Sequence, residues 1–213
     1  MRRRTLIIGA ASSAGSIVGG AVLWRAIGPA EAAGNGWDPG ITAFDKVMGA
    51  DDAPVTMIEY ASFTCPHCAT FHNDTLPALK EKYIDTGILR LVFRDFPLDG
   101  LGLRAGMMAR CAPPEQYFNL IGVLFSSQRQ WSAAADKIDA IRNIGLLAGI
   151  GKADFEACMA NESLANQIIE LRQAAQADYD VNSTPTFVLN GEIFSGARPI
   201  DEFTDMIDRL AAD

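Results

Sequence analysis

The chain has 213 residues, 49% of them apolar, and four cysteines, which is enough apolar material for an ordinary core and too few cysteines for a disulfide-stapled mini-fold. A formal charge of −8 argues against nucleic acid or an anionic membrane surface as partner, and two histidines exclude a multi-histidine metal centre. The first segment reads as an export signal. Arg2, Arg3 and Arg4 precede an uncharged stretch from Thr5 to Trp24, and Ala30-Glu31-Ala32 offers small residues to a signal peptidase. A cleaved signal peptide over 1–32 and a periplasmic location are expected, with an uncleaved anchor as the alternative, since about 20 uncharged residues suffice to span a bilayer. Arg3-Arg4-Thr5-Leu6-Ile7 also suits a twin-arginine signal, so the Sec and twin-arginine routes both stay open. Removing 1–32 takes away four arginines and one glutamate and leaves a more acidic chain.

Residues 33–40, rich in Gly and Pro, read as a flexible leader. Val55 to Ala61 is a short, mostly apolar run that predicts a buried strand. It leads directly into a helix from Pro66 to about Tyr83, where Pro66 suits a first helical position and Pro77 predicts a kink, having no amide to donate. Ile88 to Phe96 is a second strand, giving a parallel βαβ unit. From about Asp99 to Asp180 the apolar residues recur at helical spacing, in Leu101 to Cys111, Gln116 to Phe125, Ala135 to Ala148, Asp154 to Met159 and Leu164 to Ala177. Strand character returns at Thr186 to Leu189. Asn190-Gly191 is a strong two-residue hairpin signal, Glu192 to Phe194 supplies the return strand, and a helix runs from Pro199 to Leu210. The expected architecture is α/β, with one domain built from 41–98 and 181–213 and a helical domain, 99–180, inserted into it.

Chemistry concentrates at Cys65-Pro66-His67-Cys68. A cysteine directly after a strand and at the start of a helix sits over free amides and the positive end of the helix dipole, which stabilises its thiolate. Cys68, one turn in, can close a small-loop disulfide with Cys65, and His67 can lend a further hydrogen bond or charge. A stabilised thiolate leaves easily, so the oxidised pair should accept a substrate thiolate at Cys65 and pass its disulfide on. Zinc held by Cys65, Cys68 and His72 is the competing reading, in which the chain is a metal-binding chaperone module. Neither Cys111 nor Cys158 forms a second paired ligand motif to support it. A purely structural staple across so short a loop would stabilise little. Export favours a bridge between Cys111 and Cys158, worth roughly 4 kcal/mol in the chain-entropy model, and two buried free cysteines are the plain alternative. Trp131, Phe118, Phe125, Met107 and Met108 read as packing residues.

Glu59-Tyr-Ala-Ser-Phe-Thr-Cys65-Pro-His-Cys68, the helical block and Thr184-Pro185-Thr186 together resemble the DsbA family of periplasmic thiol:disulfide oxidoreductases, over roughly residues 41–213. The resemblance implies a thioredoxin-like fold with an inserted helical domain. It also implies an activity, disulfide formation in exported proteins by dithiol-disulfide exchange, with no cofactor beyond the redox-active pair Cys65–Cys68. The implied partners are exported proteins with free thiols and a DsbB-like membrane reoxidant, or alternatively a membrane reductant. By the same resemblance, Glu59 is a buried carboxylate that moves protons to and from Cys68. Pro185 is a cis proline lying against the cysteines and, with Thr184 and Pro66, forms the substrate-binding surface. Thr184 stands where the best-known oxidases of the family have valine, and threonine is common in the related isomerases as well as in some oxidases, so an isomerase or reductase on the same fold stays open.

Overall fold

A computed structural model describes residues 37–212. The signal expected over 1–32 and residues 33–36 of the expected leader lie outside the described residues. The strands are β1 (Lys46–Met48), β2 (Val55–Ala61), β3 (Leu89–Asp95), β4 (Thr186–Leu189) and β5 (Glu192–Ser195), and they form one mixed sheet in the order β1-β3-β2-β4-β5. β2 lies at its centre, parallel to β3 and antiparallel to β4. All seven of its residues are buried, because both neighbours are paired and both faces are covered. Alternate residues serve opposite faces. Val55 and Met57 pack with Phe71, Leu79 and Phe203, whereas Ile58 and Tyr60 pack with Val92, Ala175, Val181 and Val188. Glu59 has the parity of Val55 and Met57, so its carboxylate is directed at the helix that follows the strand.

That helical run covers 66–84 as α1 (Pro66–Thr70), a widened turn Phe71–Thr75, α2 (Leu76–Leu79) and a second widened turn Lys80–Ile84. The irregularity expected at Pro77 takes this form. The Leu76 amide reaches back five residues to the Phe71 carbonyl, immediately before a proline that cannot continue the ordinary ladder. His72 lies on this first wide turn.

Between β3 and β4 come α3 (Gly100–Arg110), α4 (Tyr117–Ser126), α5 (Gln128–Ser132), α6 (Lys137–Leu147), α7 (Lys152–Met159) and α8 (Glu162–Tyr179), with α3 packed against α4, α6, α7 and α8. Cys111, just past α3, is disulfide-bonded to Cys158 in α7. The start of α3 braces the loop before Cys65. Asp99 caps it by accepting from the Gly102 amide at 2.7 Å, and a Cβ at Gly102 would stand 3.0 Å from Ser62 Oγ and 3.2 Å from Thr64 Oγ1, so any side chain there would press on that loop. After β5, α9 (Ile200–Ala212) lays Phe203 and Ile207 on the sheet.

Asn190 and Gly191 both have positive φ, 43° and 95°, the left-handed pair that a tight two-residue hairpin requires. The four described residues of the expected leader, 37–40, are tied down. Trp37 packs beside Gly191 and the Tyr60 cluster, and the Arg94 guanidinium donates to the Pro39 and Gly40 carbonyls at 3.0 Å each while pairing with Asp45 through Nε at 2.8 Å and Nη2 at 3.0 Å. Among the described residues no helix is long and apolar enough to cross a membrane.

Candidate active site

Cys65 is the N-cap of α1, with extended backbone, and is 4% exposed, whereas Cys68, one turn in, has no exposed surface. Both are free thiols, so the geometry is that of the reduced pair. The two sulfurs are held in opposite protonation states. Cys65 is lowered to about 5, first by a hydrogen bond from the Cys68 thiol, against the opposing effect of burial, and then by Thr184 and the main-chain amides of Cys68 and His67 at the helix start. Cys68 is pushed well up by burial, by that same bond with Cys65 and by the negative charge of Glu59.

Thr184 offers Cys65 two groups. Its carbonyl lies 3.2 Å from Cys65 Sγ and accepts from the thiol, which favours the protonated form. Its hydroxyl Oγ1 is buried with no hydrogen-bond partner, so it is able to turn its proton to a thiolate, and the Thr184 side chain is one of the causes of the lowering. The Thr184–Pro185 peptide is cis, and the segment is fixed by Thr186 Oγ1 donating to the Ser183 carbonyl at 2.9 Å and the Gly196 amide donating to the Pro185 carbonyl at 2.8 Å. Pro66 and His67 are exposed beside the buried sulfurs. His67 contributes its main-chain amide to Cys65, while its ring lies at the surface.

Glu59 has no exposed surface. Its two carboxylate oxygens lie 3.1 and 2.9 Å from His72 Nε2, and the imidazole is itself buried, stacked on Phe125 with ring centroids 4.1 Å apart. His72 is thus turned to Glu59, and no group of three His, Cys, Asp or Glu among the described residues is arranged to hold a metal ion. The sequence offered no sign of this pairing, which joins a strand residue to a helix residue across the core. Gln128 was equally hidden in a polar stretch. Buried in α5, it donates through Nε2 to the Phe63 carbonyl at 2.7 Å and the Cys65 carbonyl at 2.9 Å, fixing the loop that presents the reactive sulfur.

These opposite shifts set a pH dependence. With Cys65 at about 5 in the folded chain and near 8.5 when unfolded, the unfolded state holds one proton more between those values, so stability of the reduced form rises with pH across that window and is lost as pH falls through about 5. Above about 8.5 the sign reverses, because an unfolded Cys68 ionises while the folded one stays protonated. The one-proton slope is about 1.4 kcal/mol per pH unit and flattens towards each end of the window, so the reduced protein should gain about 1 kcal/mol per pH unit between about pH 5 and 8 relative to the oxidised form. Urea unfolding of both forms at a series of pH values measures the difference, and a flat difference over that range would contradict a thiolate at Cys65.

The thioredoxin family model, described as "Thioredoxin", matches residues 42–209. The crystal structure of Wolbachia pipientis alpha-DsbA1 is similar at 32% identity and a TM-score of 0.75, covering 81% of this chain and 93% of that one. A "Putative protein-disulfide oxidoreductase" of Rickettsia bellii is 31% identical over 148 residues, 69% of this chain and 57% of its own length. "Disulfide bond formation protein D" of Bacillus subtilis is 25% identical over 179 residues, 76% of this chain and 75% of its own length. The chain spans about three fifths of the length of the Rickettsia relatives it matches. A family match over most of the sequence, joined to identity and shared architecture along nearly the whole of alpha-DsbA1, makes this chain a DsbA-like member of the thioredoxin family.

Proposed function

We propose that the chain is a thiol:disulfide oxidoreductase that introduces disulfide bonds into exported proteins at Cys65-Pro66-His67-Cys68. The observation that carries this reading is the asymmetry of the sulfurs, one lowered to about 5 and the other pushed well up. With the pair oxidised, a substrate thiolate attacks Cys65 Sγ, the bond between Cys65 and Cys68 breaks, and Cys68 leaves as a thiolate that takes up a proton. The second substrate thiolate then attacks its own sulfur in the mixed disulfide, and Cys65 departs with the electron pair. Its low proton affinity makes it a good leaving group, which drives the disulfide onto the substrate. Glu59 serves as proton acceptor and donor for Cys68. The exposed Pro66, the Thr184 main chain and Pro185 form the surface against which an extended substrate lies.

The basic N-terminus followed by uncharged residues supports work outside the cytoplasm, and a membrane partner of DsbB type would return the pair to its disulfide form. Isomerase or reductase work on the same site is the second reading, kept open by Thr184, which stands where the best-known oxidases of the family have valine. The equilibrium reduction potential of the Cys65–Cys68 pair against glutathione separates the two. A value near −120 mV is expected, at the oxidising end of the range for such pairs. A value near that of thioredoxin, about −270 mV, would sink the oxidase reading.

A further inference from the structure

Exchange at this site needs a proton where water has little access. Cys68 must gain one as it leaves the disulfide and lose it again when the pair is reoxidised, yet it has no exposed surface. We propose that Glu59 and His72 form one proton-holding pair for that sulfur, with His72 the positioning residue that supplies the carboxylate's hydrogen bond and shares its proton. The inference rests on the reading of Cys65, Cys68 and Glu59 given above and assigns a role to a histidine outside the Cys-Pro-His-Cys motif.

The geometry is specific. His72 Nε2 faces both oxygens of Glu59, at 2.9 and 3.1 Å, with side-chain exposures of 2% and 0%. No other hydrogen bond to that carboxylate is present among the described residues. A carboxylate buried so completely is costly unless a donor faces it, so an ionised Glu59 requires the hydrogen on Nε2, and a protonated pair carries one proton more between the same atoms. The imidazole cannot turn away easily, being stacked on Phe125 and edge-on to Phe71 and Phe93. Cys68 lies four residues before His72, one turn along the same helical run, and already responds to the charge on Glu59. Around the pair, β3 and β4 set Phe93 and Phe187 beside Glu59. The other titratable group that senses its charge is Tyr117 of α4, a phenol pushed far up by burial and therefore neutral.

During disulfide transfer the substrate sulfur bonds to Cys65, the disulfide's electron pair goes to Cys68 Sγ, and the proton shared by Glu59 and His72 moves onto that sulfur. The pair is left as a carboxylate accepting from a neutral imidazole. On reoxidation by a disulfide such as oxidised glutathione, Cys65 first takes one of its sulfurs; Cys68 then returns its proton to Glu59, its sulfur attacks Cys65 Sγ, and the oxidant's sulfur leaves with the electron pair as a thiolate.

The test uses the full chain carrying His72→Phe, which suits the aromatic surroundings but neither donates nor holds a proton, and His72→Gln, which can donate without titrating. The rate of reoxidation of the reduced protein by excess oxidised glutathione is followed against pH. Both variants are expected to be roughly 10- to 100-fold slow near neutrality and to recover with rising pH as hydroxide takes over the proton, while the ultraviolet titration of Cys65 stays near about 5. A purely structural histidine would move the melting temperature and not this profile. Wild-type profiles in both folded variants would overturn the proposal, and so would a wild-type profile in His72→Gln alone, since glutamine restores only the hydrogen bond. A changed profile in Glu59→Gln with neither histidine variant affected removes His72 from the mechanism and leaves the exchange at Cys65 and Cys68 standing, which the reduction potential tests separately.

Discussion

Serine in place of Cys65 is expected to abolish disulfide transfer to a reduced two-thiol peptide, whereas alanine in place of Cys68 should leave a protein whose Cys65 thiolate attacks the disulfide of an oxidised peptide, releases one of its sulfurs as a thiolate and stays joined to the other. The two outcomes differ because the sulfurs do different work. Cys65 is the sulfur at the helix start, stabilised as a thiolate, and nothing else in the site can replace it as the atom that joins the substrate. Cys68 works in the reverse direction, attacking Cys65 Sγ from within the same turn so that the joined substrate sulfur leaves as a thiolate. An intramolecular thiol held one turn away acts at an effective concentration far above any external one, so its loss should lengthen the life of a mixed disulfide on the order of a thousandfold or more. The Cys68 variant should also show a higher proton affinity at Cys65, since the hydrogen bond from Cys68 is the first cause of its lowering. Mass spectrometry of the trapped adduct and ultraviolet titration of the remaining thiol check both statements. Rapid turnover by the Cys68 variant, or transfer by the Cys65 variant, would contradict them.

Replacing Cys111 and Cys158 together by alanine is expected to cost about 4 kcal/mol, the chain-entropy value for a loop of this length, and to lower the melting temperature by about 10 °C. The bridge joins the end of α3 to α7 across 47 residues, so it restrains most of the helical block in the unfolded chain. Cys158 packs with Met107 and Ile168 in a cluster that holds neither reactive sulfur, so Cys65 should still titrate near about 5. Thermal unfolding in the presence and absence of the bridge, with the thiolate titration repeated on the variant, separates stability from reactivity. A fall in stability under about 1 kcal/mol would show that the helical block is held by its packing alone.

Much of this architecture is legible in the residues themselves. β2 and β4 stand where short β-branched and apolar runs placed them, because both lie deep in the sheet and carry nearly uninterrupted apolar pattern. The cysteine pair stands at a strand-to-helix junction for the same reason. What the sequence hid falls into two physical kinds. β1 has three half-buried residues at the edge of the sheet and α5 has five residues, mostly polar, too short for any period to register. The remaining hidden features are contacts between segments distant in sequence. Glu59 reaches His72 thirteen residues on, and Gln128 reaches the Phe63 and Cys65 carbonyls more than sixty residues back. A polar residue inside an apolar run announces that it needs a partner but not which one. The tethering of residues 37–40 by Arg94 belongs to the same kind, since glycine and proline composition says nothing about carbonyls that a buried guanidinium can hold.

The close approach of Gly102 to the Ser62–Thr64 loop bears on attempts to move this chemistry elsewhere. Ten residues transplanted from Glu59 to Cys68 into another scaffold would carry both sulfurs and the carboxylate, but not Gln128, Phe125 or the first turn of α3, all of which come from the helices between β3 and β4. Such a graft would own the reactive atoms without their supports, and its cysteine should behave more like an ordinary exposed thiol. Reactivity here is a property of the insertion as much as of the motif, and a graft would have to bring both.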